Sequence, residues 1–143
     1  MQKLAILVTR LSSWVLSKMG RGGSMPGRLG IKIAPDCLNH LKFGGPVILV
    51  TGTNGKTSTA NMASDLMEEA GYKVVTNRKG DNLRVGITST LLSHCSLSGR
   101  VKADAAVLEV DELNMKYIVP ALPVTAIVVN NFFRDQLDRA GEM

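Results

Sequence analysis

Apolar residues recur through residues 3–18 at helical spacing. Leu4, Leu7, Leu11 and Trp14 form one stripe, with Val8 and Val15 beside it. The pattern predicts an amphipathic helix packed on the protein. Two other assignments compete: a helix lying on a membrane surface, and a signal peptide. The signal peptide needs an apolar stretch of about seven residues or more, and Arg10 interrupts this one after LAILV. Residues 20–30, GRGGSMPGRLG, hold five glycines and a proline and are not expected to continue a helix. They read as a linker, or as a glycine loop holding Arg21 and Arg28 near an anion. A short apolar segment and the Gly44-Gly45-Pro46 turn follow.

From residue 47 the pattern becomes regular. VILVT at 47–51 is a short β-branched run of the kind that forms a buried parallel strand. Residues 56–70 have helical spacing, with Ala60, Ala63, Leu66, Met67 and Ala70 on one side and Gly71 at the expected stop. KVVTN at 73–77, AAVLEV at 105–110 and VTAIVVNN at 124–131 predict three more strands. A helix through Ile87, Leu91 and Leu92 and a short one over 112–119, ending at Pro120, lie between them. Strands alternating with helices predict an α/β fold, a parallel sheet with helices on both faces. The chain divides into a segment over 1–46 and the first part of the α/β unit over 47–143.

Composition narrows the class. The chain has 143 residues, 45% of them hydrophobic and 20% charged, which suits a folded domain with a core. Its longest apolar runs are about five residues, against the roughly 20 needed to span a bilayer. Cys37 and Cys95 are too few for a disulfide framework or a four-cysteine zinc site and read as free thiols of a reducing cytoplasm. The net charge of +5 is uneven: residues 1–46 carry +6 and residues 47–143 carry −1. A basic front on a near-neutral body argues against a nucleic-acid-binding domain.

The most informative stretch is TGTNGKTST at 51–59, between a strand and a helix start. Gly52 and Gly55 allow a tight turn that aims backbone N–H groups at phosphate oxygens, at the positive end of the helix. Lys56 would neutralise the β- and γ-phosphates, and the Thr57 hydroxyl would ligate magnesium. Thr57 and Ser58 also suit a helix start as capping hydroxyls, with no metal required. The general P-loop spacing requires glycine at position 50, where this chain has Val50, so the loop is a shorter variant. A plain glycine turn with a surface lysine is the weaker alternative.

Glu109 stands between Leu108 and Val110 near the carboxyl end of a strand, where ligands of open parallel sheets bind. A charge there requires a partner: magnesium opposite Thr57, or a salt bridge to lysine or arginine. Asp111 and Glu112 read as the start of the next helix. Asn130, Asn131, Arg134, Asp135 and Asp138 follow the fourth strand and could also face the ligand. His40 and His94 lack metal-ligand spacing.

On these motifs the chain resembles the Mur ligase family at its ATP-binding central domain. Gly52-Thr53-Asn54-Gly55-Lys56-Thr57 is that family's short loop. Glu109 falls where the family carries its magnesium glutamate. Asn131, Asp135, Leu137 and Asp138 match its downstream motif, with Gln136 in place of the usual histidine. The segments at 20–36, 77–92, 108–112 and 130–142 resemble the branch that works as an amidating subunit. Lys79 and Asp81 depart from that branch, and Asp81 would put a negative charge near the phosphate site.

The resemblance implies an ATP-dependent ligase subunit that activates the D-glutamate α-carboxylate of the lipid II stem peptide. Ammonia from a GatD-type glutaminase partner would then give D-isoglutamine in peptidoglycan synthesis. It implies ATP and Mg2+ as cofactors. Lys56 and Glu109 are the implied catalytic residues, with Thr57 and Glu109 at the metal. Gly52, Thr53, Asn54, Gly55, Lys56, Thr57, Ser58, Asn82 and Asn131 would bind the nucleotide. The place of work would be the cytoplasm, at the inner face of the membrane if the basic front meets the lipid-linked precursor or anionic lipid. A downstream lysine, a zinc ribbon and a C-terminal domain would lie beyond Met143. The 143 residues alone are therefore expected to lack turnover and to expose apolar surface where the sheet is cut. The alternatives are an amino-acid-adding ligase of the murein or folate type and a non-catalytic nucleotide-binding remnant. Thr57 stands where the folate-type loop usually has glycine.

Overall fold

The computed structural model describes residues 1–20, 23–78 and 81–132. Its strands are β1 (Val47–Thr51), β2 (Val74–Thr76), β3 (Ala105–Glu109) and β4 (Ala126–Val129), all parallel in the order β2-β3-β1-β4. The helices are α1 (Gln2–Lys18), α2 (Met25–Ile33), α3 (Lys56–Glu69), α4 (Arg84–Ser93) and α5 (Met115–Ile118). The expected α/β architecture is present.

The period of two along β1, β2 and β3 decides which helix covers which face. Ile48, Val50, Val74 and Val107 point to one face and meet Ala60, Ala63 and Met67 of α3. Val47, Leu49, Val75, Ala106 and Leu108 point to the other and join Ile87, Leu91 and Leu92 of α4 with Ile118 of α5. The β1→β2 connection runs one way across the sheet on the α3 face. The β2→β3 and β3→β4 connections run back on the opposite face, as a single crossover hand requires. Within α3 the buried side is Ala60 and Ser64, while Leu66 faces solvent, contrary to the expected stripe. Pro120 lies inside a 3-10 turn, Val119–Ala121, rather than ending a helix.

The N-terminal segment departs most from expectation. Residues 25–33 are a helix, not a linker. Pro26 sits in its first turn, where a missing N–H costs nothing. Two of its glycines are required by packing. A Cβ on Gly27 would lie 1.8 Å from the Val85 carbonyl oxygen of α4, and one on Gly30 would lie 2.6 Å from Thr9 Oγ1 of α1. Close backbone approach offsets the helix cost of glycine. The side of α1 that meets this packing is not the predicted apolar stripe. Ala5, Ile6 and Thr9 are buried, Thr9 donates to the Pro26 carbonyl at 3.2 Å, and Ser13 meets Ser93 at 3.0 Å. The predicted packing stripe, Leu4, Leu7, Leu11 and Trp14, is on the exposed side. Ala5 and Ile6 nevertheless share one core with the sheet residues Leu49 and Leu108.

Candidate functional site

The register of β1 and β3 sets the site. Val50 lies opposite Glu109, so the chain leaving β1 for the glycine loop passes beside that carboxylate. Gly52 (φ +127°) and Gly55 (φ +79°) take the left-handed conformations the turn needs. Gly55 then starts α3, which has no side-chain cap. Its free first-turn N–H groups open onto a polar cavity of about 330 Å³. That cavity is lined by Thr53, Asn54, Gly55, Lys56, Thr57, Ser58, Asn82 and Glu109. Every lining residue belongs to the set expected from sequence.

Glu109 is 4% exposed and fully engaged. Its Oε2 accepts from the Thr57 hydroxyl at 2.8 Å and its Oε1 from the Asn82 side-chain amide at 2.9 Å. Among the described residues no lysine or arginine forms an ion pair with it. Thr57 therefore does not cap α3; its hydroxyl is committed across the cavity. Two oxygens 2.8 Å apart suit adjacent corners of a small octahedral ion with bonds of about 2.0–2.1 Å, so the donor pair fits magnesium. No three His, Cys, Asp or Glu side chains among the described residues are grouped to hold a metal. An ion at this pair would complete its shell from water and phosphate.

Lys56 Nζ donates to the Gly52 and Thr53 carbonyls and reaches Glu112 Oε1 at 3.4 Å. Sequence reasoning placed Glu112 at a helix start. It does open the 3-10 turn Glu112–Asn114, and its side chain also reaches the lysine, with Oε2 buried and without a hydrogen-bond partner among the described residues. Asp111 caps that turn, accepting from Leu113 N–H at 3.0 Å.

Asn131 does not line the cavity; it clamps the loop. Its Oδ1 accepts from Asn54 N–H at 2.9 Å, its Nδ2 donates to the Asn54 carbonyl at 3.1 Å, and its carbonyl accepts from Thr53 N–H at 2.9 Å. A side chain on Gly52 would collide with that carbonyl at 2.8 Å. Asn130 ties Asn54 to Thr59. Asn77, read only as a strand end, bonds the Glu109 backbone in both directions, at 2.8 and 2.9 Å. The available signal was a buried amide closing a strand beside a buried carboxylate.

Asp81 does not line the cavity at the glycine loop. It sits against Gly86 in a separate cavity with Thr90 and His94, and burial raises its carboxyl above the usual value. Arg28 is exposed on α2 rather than held in a loop. Arg21, Lys79, Arg134, Asp135, Gln136, Leu137 and Asp138 lie outside the described residues. His40 pairs with Asp36 at 2.8 Å, and that hydrogen bond lowers the Asp36 carboxyl.

Comparison with known proteins adds a second line. The profile described as the Mur ligase middle domain matches residues 50–143. The MurT subunit of lipid II isoglutaminyl synthase (glutamine-hydrolyzing) from Streptococcus pneumoniae is 37% identical over 140 residues, covering 98% of this chain and 31% of that protein. The Staphylococcus aureus MurT subunit is 31% identical over 144 residues, covering 99% of this chain and 32% of its own length. UDP-N-acetylmuramoylalanine–D-glutamate ligase from Desulfovibrio desulfuricans is 39% identical over 85 residues, 59% of this chain and 18% of that protein. The chain thus spans about a third of the length of the MurT relatives it matches.

Proposed function

The chain belongs to the Mur ligase family, and from that premise we propose that it is the ATP-binding front of an amidating ligase subunit in peptidoglycan synthesis. The observation that carries this reading is the Thr57–Glu109 pair beside Lys56, at the mouth of a glycine loop and an uncapped helix. In this reading the first-turn N–H groups of α3 and Lys56 hold the β- and γ-phosphates. Thr57 and Glu109 would hold Mg2+, which would supply neutralising charge for the transferring phosphoryl group. Asn82 fixes the Glu109 carboxylate, and Asn131 fixes the loop.

The reaction proposed for the whole protein has two steps. The α-carboxylate of D-glutamate in the lipid II stem peptide takes the γ-phosphoryl group, with ADP leaving. Ammonia, released from glutamine by a GatD-type partner, then displaces phosphate and leaves the amide. The amidating reading is favoured over the amino-acid-adding one because the MurT likeness runs through residues 1–46, whereas the D-glutamate ligase match covers 59% of the chain. The proposed organisation is a basic segment over 1–46 in front of the opening part of the central domain over 47–143, working in the cytoplasm.

Titration of the purified chain with ATP and Mg2+ tests the binding step. Lys56→Ala is expected to weaken binding at least about tenfold, the effect of losing one charge-assisted contact. Equal binding by Lys56→Ala would overturn the site. For the chemistry, a longer chain extending past residue 143, supplied with glutamine, the glutaminase partner and lipid-linked precursor, should form the amide only with ATP. Nucleotide binding without any amidation would support the non-catalytic alternative.

A further inference from the structure

We propose that α1 is a membrane-surface element, seating its exposed apolar stripe on a bilayer that contains anionic lipid. The inference stands on α1 and α2 and holds whether or not the phosphate loop takes ATP. Helix α1 has two apolar sides and the fold uses the smaller one. Its large residues Leu4, Leu7, Leu11 and Trp14 face outward, with Leu11 64% and Trp14 60% exposed. Between α1 and Met25 of α2 this stripe continues into an open groove of about 370 Å³, lined by Val8, Leu11, Val15 and Leu16. Soluble surfaces rarely leave so continuous an apolar strip uncovered.

Charge identifies the occupant. Residues 1–35 contain six lysines and arginines and no aspartate or glutamate. Lys3, Arg10 and Lys18 stand one helical turn from Leu7 and Trp14, and Lys18 Nζ lies 5.8 Å from the Trp14 ring centroid. Leucine and tryptophan along one strip, bordered by cations, is the make-up of helices that lie in a bilayer interface. A second copy of this chain would bring an equally basic, acid-free face against the first, which charge opposes. No helix of the described residues is long and apolar enough to cross a membrane, so contact would be at the surface.

Trp14 is the only tryptophan in the chain, so its fluorescence reports on α1 without any labelling. Mixed phosphatidylglycerol–phosphatidylcholine vesicles should shift its emission to the blue, and brominated acyl chains should quench it. Pure phosphatidylcholine should do neither, and high salt should release the protein. Lys3→Gln with Arg10→Gln should weaken binding about fivefold per charge. Leu7→Gln with Leu11→Gln should abolish the blue shift. All four positions are solvent-exposed, and circular dichroism checks that each variant keeps its helices. Three results would each overturn the proposal. The first is an unchanged Trp14 spectrum with anionic vesicles. The second is equal binding to neutral and anionic vesicles. The third is a dimer, formed without lipid, in which Trp14 is already shielded.

Discussion

Two carboxylates flank the glycine loop, and under the proposed function they should act in opposite directions on magnesium-bound nucleotide. Glu109 presents an oxygen pair with Thr57 that suits a cation. Glu112 sits 3.4 Å from Lys56, with both side chains close to nine-tenths buried, and offsets the charge that phosphate would use. Glu112→Gln should therefore tighten metal-free ATP binding about fivefold, since one partly buried like charge is worth about 1 kcal/mol. Glu109→Gln should also tighten metal-free binding, since it removes a carboxylate from the cavity wall, but it should lose most of the gain on adding Mg2+. Calorimetric titration of both variants with and without magnesium separates the roles. Identical magnesium dependence in wild type and Glu109→Gln would remove Glu109 from the metal. Asn131 belongs to the same scale: three hydrogen bonds to the loop make it a positioning residue.

Among the elements, α2 carries the largest correction. Glycine and proline are poor helix formers as isolated residues, and the count of them in 20–30 pointed to a linker. In the structure Pro26 occupies the first turn, and Gly27 lets α2 meet the α4 backbone. Gly27→Ala would improve intrinsic helix propensity yet drive a methyl group into the Val85 carbonyl and the Ser89 amide. It should destabilise the protein by about 1–3 kcal/mol in urea unfolding, the range for overpacking a tight contact. A stabilised Gly27→Ala protein would mean that α2 and α4 are not held this closely. The strands β1, β2 and β3 needed no such context, because their alternation alone separates the two faces. Strand β4 differs: Ile127, Val128 and Val129 are exposed along it.

For the molecule as a whole, the question is whether the N-terminal helices and the sheet open together. Cys37, after α2, and Cys95, after α4, are free, buried and in the same core cluster as Ala5, Leu49 and Leu108. Burial raises both thiols, Cys95 to about 11, which further suppresses thiolate at neutral pH. Both should react with a thiol reagent at least about a hundredfold more slowly than in denaturant, and at matching rates, because exposing either opens the shared core. Faster labelling of Cys37 alone would show that residues 1–46 open as a separate unit. The basic front and the α/β body are joined through one core, although their charges are +6 and −1.

The sequence by itself determined what depends on local pattern and local chemistry. It contained the alternation of strands and helices, the α/β class, the glycine loop ahead of α3 and the placement of Thr57 and Glu109 at one site. These were legible because strand period, turn residues and a charge inside an apolar run each carry their meaning within a few neighbours. Tertiary structure decided what depends on contacts distant along the chain. It brought the Glu112 side chain to Lys56, turned Asn131 from ligand to clamp, and moved Asp81 into another cavity. It also chose which side of α1 is buried. Hydrophobicity favoured the larger stripe, but the side carrying Ala5, Ile6 and Thr9 is the one buried, with Thr9 against Gly30 of α2 where a Cβ would lie 2.6 Å from its hydroxyl, and Trp14 is left outside.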